Sequence, residues 1–317
     1  MSGYEYLYVN GQVNGNPSFN APATIDIKRL SPILKNTKDV VCSVERFYFH
    51  GARLPLFDTS VAQWKIGMRM GGGAISQYVV DWSTLTASHE LYEAGTADSG
   101  TYLYSYVDFA AGINLAFENL AASLGIAEAN RPQFSYDYES RRFILTTSDT
   151  FRASYEVVVT QPFQFALNTF DIVADSEAGW FRMDIVGEVT EQTEATLELL
   201  SPVMRIALRT RSLPVDYELL QPPSVTGGIT DEIGSFLVDY KYTQSNNQSI
   251  QSILYSAGDA DHRWHNMLTG TNLREFSVSF YWVDYGNVFH EMLLTQSSMA
   301  EIKLLFQRKG GVPLSPE

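Results

Sequence analysis

From residue 274 the chain reads REFSVSFYWVDYGNVFHEMLL, with apolar side chains on every second position: Phe276, Val278, Phe280 and Trp282. A period of two puts these four on one face of a β-strand, so they are expected to fill a core rather than to line a pocket. Asp284-Tyr285-Gly286-Asn287 then supplies turn formers, Gly286 being able to take a positive φ and Asn287 tolerant of it, before apolar residues resume at Val288, Phe289, Met292 and Leu293. The stretch predicts a hairpin in which Asp284 serves the turn and not catalysis.

The same alternation recurs along the chain. DVVCSVERFYFHG reads as a strand with both faces partly apolar. QWKIGMRM sets Trp64, Ile66, Met68 and Met70 against Lys65, Gly67 and Arg69, and AISQYVVDW follows the glycines at 71 to 73. That glycine run lacks the lysine and helix start of a phosphate loop and is expected to be a flexible connection. VMRIALRTR places Met204, Ile206 and Leu208 on one face and Arg205, Arg209 and Arg211 on the other; GSFLVDYKY, SIQSILYS and AEIKLLFQRK complete the series. Sheets this numerous must pack or close. The expected fold is all-β, an eight-stranded single jelly roll (a two-sheet sandwich) with an inserted α+β domain.

The insertion is placed where the period changes. SYVDFAAGINLAFENLAASLGI carries Val107, Ala110, Ala111, Leu115, Leu120 and Leu124 at helical spacings, with Gly125 placed to end the helix. QFSYDYESRRFILTTSD reads as a hairpin around Glu139-Ser140, and SYEVVVTQ as a further strand. Residues 171 to 200 are acidic and read as a solvated face or linker. The first forty residues, rich in Asn, Gly, Pro and Ser, read as an arm or an edge segment, so the expected organisation is an N-terminal arm over 1–39, a jelly roll from 40–100 and 201–317, and an insertion over 101–200.

Candidates for chemistry are sparse. SAGDADHRWHNM brings Asp259, Asp261, His262 and His265 together, but without a helix to align the two histidines it reads as an interstrand loop, and no metal site is assigned. His50, His89 and His290 read as ordinary surface or core histidines. No Gly-x-Ser-x-Gly elbow, His-Glu-x-x-His or phosphate-loop lysine is present, so no catalytic residue and no cofactor are assigned. The basic row Arg205, Arg209 and Arg211 has two readings, a solvated edge or a contact with acidic surface on a neighbouring chain.

Charge narrows the partners. Lys and Arg number 22 against 36 Asp and Glu, a formal net charge of -14, which opposes diffuse binding to nucleic acid or anionic lipid. The opening MSGYEYLYVNGQVNGNPSF has no basic region followed by an apolar core, and no segment runs to about 18 apolar residues, so no membrane partner is expected. The single cysteine, Cys42, excludes an internal disulfide. Aromatic residues reach 13%, as strand-rich chains favour.

The order of VERFYFHGARLPLF, YSYVDFAAGINLAFENL, PQFSYDYESRRFIL, RTRSLPVDYE and the run from NNQSIQSILYS through FSVSFYWVDYGNVFHEMLL to EIKLLFQRK resembles the penton (minor capsid) proteins of virophages and of related Polinton-type, adintovirus-like double-stranded DNA viruses. The resemblance covers about residues 40 to 310 and is carried by order and spacing. It implies a vertical single jelly roll bearing an inserted domain, assembled as a homopentamer at icosahedral vertices beside double-jelly-roll major capsid proteins. It further implies a virion protein made in the host cytoplasm or nucleus, with no reaction to catalyse. The competing readings are a β-sandwich module that binds carbohydrate or a receptor through exposed aromatics and, behind it, a β-sandwich hydrolase.

Overall fold

The computed structural model describes residues 6–15, 21–52, 54–60, 63–82, 102–196, 201–210, 212–216, 218–219, 229–230, 232–236, 241–245, 248–256, 263–268, 270, 272–294 and 298–309. The chain forms two compact units: one of Met1–Leu54, Val203–Ser245 and Ser249–Glu317, the other of Pro55–Pro202 with Asn246–Gln248. The first unit opens with strands β1 (Tyr6–Asn14), β2 (Thr24–Lys28) and β3 (Val40–Ala52). The second contributes β4 (Lys65–Met70), β5 (Ser76–Val79), helix α1 (Tyr106–Leu124), β6 (Gln133–Asp137), β7 (Arg142–Thr146), α2 (Asp149–Ser154), β8 (Tyr155–Thr160), α3 (Gln161–Ala166), β9 (Ile172–Ala174), β10 (Trp180–Met183) and β11 (Val189–Glu191). The chain then returns to the first unit with β12 (Val203–Arg209), β13 (Glu232–Phe236), β14 (Lys241–Ser245), β15 (Gln248–Ser256), β16 (His265–Asn266), β17 (Glu275–Asp284), β18 (Phe289–Glu291) and β19 (Met299–Arg308).

The first unit is a two-sheet sandwich. One sheet runs β1-β19-β3-β15-β14 with β16 also on β3; the other runs β13-β12-β17-β18 with β2 also on β17. β17 explains why its alternation is so regular, since it is paired along both sides. Phe276 and Val278 stand opposite Ile27 and Ile25 of β2, while Phe280 and Trp282 stand opposite Leu208 and Ile206 of β12. All eight side chains are buried. Across the sandwich, the Phe280 ring meets Phe47 and Phe49 of β3 edge-on at 6.0 and 5.6 Å, and Phe276 meets Phe306 of β19 at 6.3 Å. Burying a side chain of this size contributes ~1.5–3 kcal/mol over leaving it exposed, so this aromatic layer is a main stabiliser of the sandwich.

The hairpin after β17 forms as expected. Asp284 accepts from the Val288 amide at 2.8 Å through its carboxylate and from the Asn287 amide at 3.0 Å through its carbonyl. The positive φ falls on Asn287, at 60°, rather than on Gly286. A side-chain oxygen that closes the turn itself leaves only one residue to adopt the left-handed conformation.

Residues 1–39, expected to be an arm or an edge segment, carry strands of both sheets, and β1 is the edge strand of its sheet. β1 pairs with β19 over nine positions, from Tyr6↔Gln307 to Asn14↔Met299, and β2 pairs with β17. Where β1 and β2 face each other, a Cβ on Gly11 would lie 2.5 Å from Ile25 Cγ2 and 2.9 Å from Ile27. Gly11 is there because backbone and side chain approach so closely at that point.

The first boundary of the insertion also moves. QWKIGMRM and AISQYVVDW, expected in the jelly roll, are β4 and β5 of the second unit, whose five-stranded sheet runs β9-β10-β8-β4-β5. Position 101 therefore falls well inside that unit, which starts at Pro55. Alternation told that these were strands, but a period of two carries no information about which strand lies alongside. The glycines form the tight β4–β5 turn, with Gly71 and Gly72 at φ 46° and 80° and the Gly73 amide on Met70 O at 2.8 Å.

Helix α1 starts at the Ser105 cap, whose hydroxyl accepts from the Val107 amide, and ends at Gly125 with φ 68°. Its buried face is Tyr106, Phe109, Ala110, Ile113, Ala116, Phe117, Leu120 and Ala121, so Val107, expected on that face, is exposed instead. The aromatic residues decide the face. Phe109 stacks on Phe57 at 4.4 Å and on Trp82 at 5.4 Å, and Trp64 meets Phe163 edge-on at 5.0 Å. In the three-stranded sheet β11-β7-β6, β6 and β7 form the expected hairpin around Glu139-Ser140.

The acidic stretch 171–200 is not a linker, since it contains β9, β10 and β11. Asp175 in the β9–β10 turn receives both terminal nitrogens of Arg69, at 3.0 and 2.6 Å, while Arg69 Nε donates to Glu156 at 2.6 Å. The carboxylate of Asp175 is held below its ordinary range by these Arg69 hydrogen bonds, against the opposing effect of burial.

Candidate functional site

The basic row on β12 was the sequence's candidate contact surface, and two of its three members are described. Arg205 donates to Glu232 of β13 at 2.8 Å, with side-chain exposures of 14% and 6%, and Arg263 stands 3.9 Å from the other Glu232 oxygen. Arg209 lies 4.6 Å above the Phe289 ring and 5.4 Å from that of Tyr281; Arg205 is 5.5 Å from Phe289. These cations are thus spent largely within the sheet, on a buried carboxylate and on aromatic faces. Arg211 lies outside the described residues. The face opposite is also less regular than the alternation implied, because the register between β12 and β17 shifts between Val203 and Arg205, leaving Met204 only partly buried.

Among the described residues the histidine and carboxylate candidates do not converge. His265 sits in β16 opposite Cys42 and is 3% exposed, whereas Asp259, Asp261 and His262 lie outside the described residues, as does His89. His50 Nδ1 is 2.9 Å from Ser252 Oγ, with the two ring roles set by tautomer. His290 stacks on Trp282 at 3.8 Å and 8° and is 3.1 Å from Asp284 Oδ2, which makes it part of the hairpin's packing. Among the described residues no three His, Cys, Asp or Glu side chains are grouped as a metal ion would require, and no helix is long and apolar enough to cross a membrane. The Cys42 thiol is buried and pushed up to about 12 by that burial, which removes it from nucleophilic chemistry at neutral pH.

What sequence reasoning passed over is the outer surface beside β1. Asn10, Gly11, Gln12, Arg46, Glu301 and Lys303 line an open recess of about 380 Å³. Arg46 pairs with Glu301 at 2.6 Å, and Lys303 Nζ stands 4.0 Å from the centre of the Tyr8 ring. The only signal in the sequence was an uncharged alternating run, YLYVNGQVN, whose polar positions gave no hint of cations brought in from β3 and β19.

The two-sheet jelly roll interrupted by a mixed α/β unit is an arrangement this chain shares with known structural proteins of the capsid type. Residues 183–308 match the family model of the Sputnik minor capsid protein V18/19. The fold is similar to that of the mavirus penton protein, with a TM-score of 0.75 and 29% identity over 95% of this chain and 99% of that one. A chain in the Sputnik virophage structure matches with a TM-score of 0.74 over 96% of this chain and 98% of that one; at 17% identity it speaks for the fold alone. No curated protein matches significantly. The chain is thus penton-like and similar to virophage minor capsid proteins, which are structural proteins of the virion and not enzymes.

Proposed function

We propose that this chain is a vertex protein of an icosahedral capsid, assembled as a homopentamer and seated beside double-jelly-roll major capsid proteins. The observation that carries the reading is the end-to-end correspondence of both units, the jelly roll and the insertion, with the mavirus penton protein. A ring of five uses one surface against a different surface of the next copy, so that each rotation repeats until the ring closes. The mechanism is burial at interfaces, with no bond made or broken. Production in the host cytoplasm or nucleus follows from the same reading.

Arg209 and Arg211 remain candidates for contacts between subunits or with the major capsid protein. Arg205 belongs with them in sequence, but its first partner is Glu232. Exposed charge pairs contribute ~0.2–1 kcal/mol each and mainly steer encounter, so replacing Arg209 and Arg211 together by Glu is the informative change. It should weaken assembly more at low salt than at high salt, since the Debye length is about 8 Å at physiological ionic strength.

Native mass spectrometry of the purified chain, with and without the major capsid protein, tests the reading directly. A five-copy mass and five-fold rings in particle images are expected. A chain that stays monomeric under all assembly conditions and binds glycans instead would replace the vertex reading with that of a carbohydrate-binding module.

A further inference from the structure

An exposed sheet edge offers unpaired backbone amides and carbonyls to any extended chain, and folded proteins blunt such edges by shortness, charge, proline, bulges or a covering group. Nearly every edge strand among the described residues follows this rule. β5, β9, β11 and β18 are three or four residues long, β2 carries Asp26 and Lys28, and β14 begins with Lys241. The pairing of β13 with β12 is broken by a register shift between Leu208 and Arg209. The edge of β6 is covered by a side chain: Asn114 of α1 donates to Phe134 O at 2.8 Å and accepts from the Phe134 amide at 2.7 Å, as a neighbouring strand would.

β1 is the exception. It runs nine residues in unbroken register with β19, without charge, proline or bulge. The Gly15 amide donates to Ser298 O at 2.8 Å, which fixes the phase of the ladder. By the alternation of antiparallel pairing, the amides of Val13, Gly11, Val9 and Leu7 also point toward β19, and those of Tyr8, Asn10 and Gln12 point away from it. Those same three residues expose their side chains on the outer face, beside Lys303 and Arg46, where Glu301 is the one carboxylate lining the recess.

We infer that the free edge of β1 is an assembly surface that takes up an extended, carboxylate-bearing segment of a neighbouring copy of this chain by strand addition. Backbone groups in a row select a polypeptide in extended form, with the flanking side chains choosing among sequences. The local surplus of positive charge selects an acidic one, and a chain of net charge -14 provides acidic surface in every other copy. The inference rests on the ring proposed above, and that ring requires β1 to meet a different segment of its neighbour. Pairing of β1 with itself would be two-fold and would stop at a dimer.

Two measurements on the full-length chain test this. In the first, Gln12→Pro and Asn10→Pro each remove an amide that faces away from β19, a position at which an edge strand tolerates proline. The five-copy mass should be lost while the melting temperature stays near that of the parent. In the second, Asn10→Cys provides a reactive thiol, because Cys42 is buried and inert, for a thiol-anchored photo-crosslinker in a mixture of isotopically light and heavy copies. Light–heavy crosslinks to a segment outside residues 6–14 are expected, and they decide the matter even if the proline variants unfold. Rings that persist in both proline variants, or crosslinks confined to one copy or to β1 itself, overturn the inference and leave the vertex reading standing. A parent chain that never forms rings overturns both.

Discussion

Arg69 and Asp175, 106 residues apart, form a two-pronged ion pair with Nη1–Oδ1 at 3.0 Å and Nη2–Oδ2 at 2.6 Å. Their side chains are 8% and 3% exposed, and Glu156 on the intervening strand β8 holds the Nε of the same guanidinium. The pair ties β4 to the β9–β10 turn across the sheet. Fixing both oxygens of the carboxylate against a planar fork is geometry that a lysine in place of Arg69 would not reproduce.

Asp175→Asn is expected to destabilise the second unit by about 3 kcal/mol, because it leaves a shielded guanidinium short of its partner. Since the folded-state pKa of Asp175 is lowered from 3.8, its contribution is complete above that value and is lost as pH falls through the lower folded value. Urea unfolding should therefore separate parent and variant at pH 7 and bring them together in strong acid. An equal gap at both ends of that range would show that the pair's charge is not what stabilises the turn.

Trp282→Ala should cost ~3–5 kcal/mol in the jelly roll, the range for removing a large buried aromatic. It also takes away the surface on which His290 stacks. Thermal melting monitored by circular dichroism checks this, and a shift of only a degree or two would place Trp282 outside the core.

Gly11→Val should destabilise the sandwich by ~1–3 kcal/mol through overpacking, since Ile25 and Ile27 already occupy the space its side chain needs. The companion change Ile25→Ala together with Gly11→Val should recover part of the loss relative to the sum of the single changes. Purely additive effects would show that the two residues do not meet.

The fragment 55–202 should fold on its own, whereas 101–200 should not. The shorter piece lacks β4 and β5 and, around them, Arg69, Phe57, Trp64 and Trp82, so β8 loses one of its two neighbours and Phe109 loses three of its ring contacts. Dispersed amide proton spectra for 55–202 and collapsed ones for 101–200 are the expected pair of results.

Local pattern determined a good deal about this protein. The alternation of Phe276, Val278, Phe280 and Trp282 fixed a core strand because each of those positions faces apolar residues on the strands beside it, and Ser105 and Gly125 marked the ends of α1 because capping is decided within one turn of the helix. What the tertiary structure decided is which elements meet. β4 and β5 alternate as well as any jelly-roll strand, yet they belong with β8, and the acidic stretch around Asp175 is tied to an arginine 106 residues away. Arg205 looks like a member of a basic face until Glu232 is folded against it. Side-chain period reports a strand's own two faces, whereas strand neighbours, charge partners and the open edge of β1 depend on contacts between segments distant in sequence, and those are set by the packing of the whole unit.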